Sequence, residues 1–128
     1  MSSSVEIHGR EFDWFALDTS GAVAIFATAG FGPAPESVLR CAAAHDAVSE
    51  KIPVRGFGTI QVWQSYSAAG IFAYDWNDSE GTYHQVASPD APLLQSVSEL
   101  VVQMSLPVFA RSFALSPELG IGDLLHGT

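Results

Sequence analysis

One cysteine, Cys41, and five basic residues are all that a chain of 128 residues holds of either kind. A single cysteine excludes an internal disulfide framework and any cysteine-cluster zinc site. The bases are Arg10, Arg40, Lys51, Arg55 and Arg111, scattered along the chain and set against fourteen acidic residues, for a net charge of −9. Tight nucleic-acid binding draws on several grouped Lys or Arg contacts, so nucleic acid is not an expected partner. An anionic membrane surface is disfavoured on the same ground. No apolar run reaches the roughly 18 to 20 residues of a membrane span, and the richest, residues 22–31, is short and full of alanine and glycine. Residues 1–12 carry Glu6, His8, Arg10 and Glu11 without an apolar h-region, so no secretory signal is read there and a cytoplasmic, soluble protein is expected. Charged residues are 15% of the chain and apolar residues 48%, the opposite of a disordered balance. The length suits a single domain, residues 1–128, with residues 1–11 set apart as an N-terminal segment expected to be flexible.

Apolar runs at residues 12–18 and 22–28 flank Asp18-Thr19-Ser20-Gly21, a turn signal that predicts a β-hairpin. Pro35 suits a first helical position and Glu36 the positive end of a helix dipole, so a helix is predicted over residues 36–50. Its buried stripe would be Val38, Cys41, Ala42, His45 and Val48. Residues 59–64 alternate, with Ile60 and Val62 inward and Trp63 on the wetter face, which reads as a strand. Residues 71–76 form the next strand, with Phe72, Tyr74 and Trp76 on one face and Asp75 on the other. A turn at residues 77–81 returns the chain into a strand at 82–87. Ser96 and Glu99 fit a capping box, and Val97, Leu100, Val101 and Met104 a helical stripe closed by Pro107. Residues 108–115 read as a last strand. The order ββ-α-βββ-α-β implies an α+β fold, an antiparallel sheet of about six strands covered by two helices.

The catalytic motifs are thin. Gly30-x-Gly32-Pro33 and Gly56-x-Gly58 lack the Lys-Ser/Thr of a phosphate loop and do not make a dinucleotide fingerprint, so both read as turns. No serine sits in a nucleophile elbow. Cys41 and His45 lie one helical turn apart and could pair as a thiolate–imidazole dyad. On an alanine-rich stripe, however, a cysteine reads as a small core residue. His8, His84 and His126 are isolated in sequence and read as solvated or satisfied side chains. No catalytic residue, metal site or cofactor is therefore expected. Asp75, Asp78 and Glu80 surround the hairpin tip without the spacing of a calcium loop. A solvated turn or a docking surface for a basic partner accounts for them. Trp63 is the second candidate for partner binding, because exposed tryptophans concentrate at interfaces, the alternative being a helix packed over that face with Trp63 in the core.

Asp13-Trp14-Phe15-Ala16-Leu17-Asp18, Gly21 to Phe26 and Ala29-Gly30-Phe31-Gly32-Pro33-Ala34-Pro35-Glu36 resemble the opening of a family of small bacterial proteins. Gly70-Ile71-Phe72-Ala73-Tyr74-Asp75-Trp76, with Tyr83 and Val86-Ala87-Ser88-Pro89, is similar to the middle of that family. These are the immunity proteins of polymorphic-toxin and contact-dependent or secretion-delivered toxin systems. The resemblance implies a non-enzymatic protein that binds a cognate toxin and occludes it. A charge of −9 suits a toxin partner with a basic cleft, which it would approach by electrostatic steering. Two alternatives remain: a structural module that self-associates, as in a homodimer, through its aromatic face, and a small thiol or hydrolytic enzyme built on Cys41 and His45.

Overall fold

The computed structural model describes residues 12–56 and 59–125. The N-terminal segment 1–11, with His8 and Arg10, and His126 lie outside the described residues, as does Gly58 of the second glycine pair.

The first hairpin forms as its sequence predicts. Strand β1 (Asp13–Asp18) pairs antiparallel with β2 (Val23–Ala27). Gly21 takes φ +88° in the turn between them, a conformation that costs a glycine little. Asp18 holds that turn from inside: its carboxylate accepts from the Ser20 amide at 2.9 Å, the Ser20 hydroxyl at 2.6 Å and the Ala22 amide at 3.0 Å. Three helices follow, α1 (Glu36–Leu39), α2 (Ala42–Ser49) and α3 (Gln61–Ala68). The second hairpin is β3 (Phe72–Asn77) and β4 (Thr82–Ala87), antiparallel, with a register shift between Ala73 and Tyr74. Helix α4 (Gln95–Val101) and two short strands, β5 (Val108–Phe109) and β6 (Glu118–Leu119), complete the order.

The fold is α+β, with one six-stranded sheet in the order β5-β1-β2-β3-β4-β6. The sheet is mixed rather than antiparallel, because β2 pairs with β3 and β1 with β5 in parallel. Parallel neighbours need a long crossover, and α1, α2 and α3 supply it between β2 and β3. The expected strand at residues 59–64 is helix α3. Val62, Tyr66 and Ala69 recur at i, i+4 and i+7 and pack toward the core, whereas Ile60, expected inward, is 74% exposed. Residues 36–50 form two helices, not one: Cys41 leaves helical geometry with φ −130° and ψ 39°. That break turns Cys41 outward, so it is exposed instead of buried, while Val38, His45 and Val48 do face the interior. The Ser96 capping box is absent because the N-cap of α4 is Leu94, two residues earlier; Gln95 Nε2 donates to Glu99 Oε2 at 3.2 Å instead. Of residues 108–115 only Val108–Phe109 is strand. Phe113–Leu115 is a 3-10 turn, and the Phe113 amide donates to Asp18 Oδ2 at 2.9 Å instead of a neighbouring strand.

Strand alternation separates two cores. One face carries Trp14, Phe26, Tyr74 and Tyr83, buried with Phe109, Phe113 and Leu119. Phe26 stacks on Tyr74 with centroids 5.0 Å apart and meets Tyr83 edge-on at 5.2 Å. The expectation that Phe72, Tyr74 and Trp76 share a face holds, since all three belong to this layer. The chain after β5 wraps over it. Tyr74 donates its hydroxyl to the Ser116 carbonyl at 2.6 Å, Leu124 bridges to Phe109, and the Leu125 amide donates to the Val108 carbonyl at 2.8 Å. The other face carries Phe15, Val23, Ile25, Ile71 and Ala73 beneath Val48, Tyr66, Val97 and Val101 of the longer helices.

Candidate functional site

A row of residues crosses the sheet at the end where β2 and β3 finish. Asp13 pairs with Ala27, Ala27 with Asp75, Asp75 with His84, and His84 with Glu118. Each row member neighbours a residue of the buried aromatic layer, so alternation sends the row to the opposite face. Four of its five positions are ionisable. Burial raises the Tyr83 phenol above its ordinary pKa, against the hydrogen bond from Trp14, with the charges of Asp13 and Asp75 adding to the rise; burial and Asp13 raise Tyr66 likewise.

The β3–β4 turn stands at the same end. Asn77 Oδ1 accepts from the Glu80 amide at 3.1 Å and from the Ser79 hydroxyl at 2.8 Å, and Gly81 turns with φ +70°. Asp78 and Glu80 are exposed, and Trp76 Nε1 donates to Asp78 Oδ1 at 3.0 Å. Beside the hairpin lies the loop after β2. A Cβ on its Gly32 would stand 2.6 Å from the Tyr83 hydroxyl and 3.0 Å from Trp76 Cβ, so only glycine fits this approach. The neighbouring Phe31 is 72% exposed. One end of the molecule therefore presents half-buried Trp76 with exposed Asp78, near the loop that carries exposed Phe31, and gathers Glu80 and Glu118 around His84 on the other face of the sheet.

Of the candidates from sequence, Asp75, Asp78 and Glu80 do converge on this end. Trp63 is not on an exposed strand face: it sits in α3, half-buried against the helix-covered core, 6.0 Å from the Tyr66 ring. Helix α3 turns directly into β3 and packs on it, so the Trp63 end of the helix lies toward the Asp75 end of the strand. Sequence reading missed the company of His84. Its Nε2 lies 3.2 Å from Glu118 Oε2, 3.6 Å from Glu80 Oε1 and 3.1 Å from the Thr82 hydroxyl. Glu80 and His84 at i and i+4 across a turn carried a faint signal; Glu118 carried none.

The Cys41–His45 pair is divided. Cys41 is exposed and its thiol donates to the Ser37 carbonyl at 3.1 Å. His45 is 1% exposed, and its Nδ1 accepts the Phe15 amide at 3.0 Å. Burial holds its pKa down at about 4, so the ring is neutral at pH 7. Elsewhere, an open groove of about 550 Å³ is lined by Pro53, Arg55 and the Gln61, Gln64 and Ser65 side of α3, with no acid, histidine or cysteine among the described residues of its lining. No helix among the described residues is long and apolar enough to cross a membrane. No family model matches the chain, and no curated protein or solved structure is significantly similar to it.

Proposed function

We propose that this chain is a non-catalytic binding protein that presses the acidic end of its sheet onto a basic surface of a partner protein. Within that reading, its role is that of an immunity protein occluding a toxin domain, acting in the cytoplasm. The observation that carries the proposal is the gathering of acidic side chains at one end of the sheet, Asp78 against Trp76 on one face and Glu80 and Glu118 around His84 on the other. Aromatic side chains framed by a charged rim are the usual anatomy of a docking surface. A chain of charge −9 adds long-range attraction for a basic cleft, which raises the rate of encounter. The separation of Cys41 from His45 supports a non-catalytic role, because it takes apart the one nucleophile–base pair that spacing allowed.

The test is co-purification with the C-terminal domain encoded by the neighbouring gene, followed by association kinetics at low and high salt. Replacing Asp78 and Glu80 by Lys should slow association about tenfold or more at low salt and flatten its salt dependence, with the fold intact by circular dichroism. Unchanged rates would remove the hairpin from the interface. Absence of binding by the wild type, with a concentration-dependent mass of the chain alone, would favour self-association instead.

A further inference from the structure

We infer that Glu80, His84 and Glu118 form a binding site for a divalent transition-metal cation, with zinc as the representative ion. The inference stands on how ligand atoms are disposed, independently of the proposed partner. His84 Nε2 and one carboxylate oxygen from each glutamate all lie within 4.8 Å of one another. The separations from Nε2 are 3.2 Å to Glu118 and 3.6 Å to Glu80. A tetrahedral ion with bonds of roughly 2.0–2.2 Å holds neighbouring ligand atoms about 3.3–3.6 Å apart, so one cation fits between these groups with small side-chain adjustments.

Chemistry selects the class of ion. An imidazole nitrogen among carboxylates suits zinc and its d-block neighbours, whereas magnesium and calcium take oxygen ligands. The Thr82 hydroxyl stands 3.1 Å from both His84 Nε2 and Glu118 Oε2, a fourth polar atom oriented by the same carboxylate. Asp75 occupies the position paired with His84 across the β3–β4 register, adding negative field on the same face. The three ligands come from two separate chain segments that the backbone already joins: the Gln85 amide donates to the Pro117 carbonyl at 2.8 Å, and His84 pairs with Glu118. The frame is thus held without the ion, and His84 is only about one-third exposed while both glutamates keep a face to solvent. Three protein ligands leave a position for water. A bound cation would fasten β6, a strand of two residues, to the edge of β4.

The experiment is calorimetric titration of the chelator-treated full chain with zinc chloride, repeated with magnesium chloride, alongside thermal melts. One zinc per chain is expected at micromolar affinity, with a higher melting temperature and no response to magnesium. His84→Ala should abolish the binding, and Glu118→Gln should weaken it at least tenfold while leaving the metal-free melt near that of wild type. Glu118→Gln keeps the test open should His84→Ala fold poorly. Zinc binding undiminished in both variants, or no heat and no melting shift in the wild type, would overturn the inference and leave the cluster as an ion pair alone.

Discussion

His45 Nδ1 and the Phe15 amide, 3.0 Å apart, join helix α2 to strand β1 at a place where no strand does. On that side of β1 the partner is β5, and β5 reaches only Leu17 and Asp18. The imidazole substitutes for the missing carbonyl, with its ring stacked 6.2 Å from the Phe15 ring. An accepting Nδ1 must be unprotonated. Acid therefore competes with a bond of the core.

That competition has a sign and a window. The His45 pKa falls from an ordinary 6.5 to about 4 on folding, so the unfolded chain binds the proton first as pH drops. The stabilisation is complete above pH 6.5 and is lost progressively toward pH 4, on the order of 3 kcal/mol in all. Urea midpoints of wild type and His45→Gln across that range measure it. The variant should be less stable at pH 7 and should lose less as pH falls; parallel curves would show that His45 is not the titrating group. Asp18 acts in a lower window. Burial alone would raise its pKa, but the bonds from Ser20, Phe113 and Ala22 lower it overall, so its contribution is lost only as pH falls through values below its ordinary 3.8.

Cys41 lies outside both cores. A bulky thiol reagent should label it within seconds to minutes in the native protein, without denaturant. Cys41→Ser should shift stability by no more than about 0.5 kcal/mol, as surface substitutions do. Labelling only after unfolding would place Cys41 inside.

Tyr74 is both packing and polar anchor. Its ring stacks on Phe26, and its hydroxyl donates to Ser116 while accepting from Gln85 Nε2 at 3.0 Å. Tyr74→Ala should cost about 3–5 kcal/mol and Tyr74→Phe about 1 kcal/mol, because the Ser116 carbonyl loses its shorter hydrogen bond but keeps the Gln85 Nε2 donor at 3.3 Å. Asp75→Asn, one residue on and facing the other way, should cost less than either. Chemical denaturation of the three variants ranks them; Asp75→Asn as damaging as Tyr74→Ala would contradict the register.

Both hairpins were legible because each is local: a turn sequence lies between two alternating runs, and the partners are neighbours in the chain. The α+β class followed from them. Residues 59–64 misled because Ile60 and Val62 alternate with Thr59 and Gln61 over a stretch too short to exclude a helix, and the helical partners Tyr66 and Ala69 lie beyond it. Taking that segment as a strand removed part of the crossover, and with it the parallel pairing of β2 and β3. The break at Cys41 carries neither glycine nor proline, so nothing in the sequence marks it. Asp78 and Glu80 were found because a hairpin tip is predictable. The approach of Glu118 to His84 depends on how the chain returns after β5, which no spacing encodes.

The wrapping of that last segment bears on how the chain reaches its native state. The bond between Asp18 and Phe113 joins residues 95 apart, and Leu17 pairs with Val108. Trp14 and Phe26 enter the chain early, yet the rings and strands that cover them, Phe109 and Phe113 among them, come near its end. Loop closure over such separations carries its entropy cost before the contacts repay it, which places folding toward the slow, millisecond-to-second regime. Throughout that interval the first hairpin holds an uncovered aromatic surface, and crowding among partly folded copies is the hazard this architecture carries.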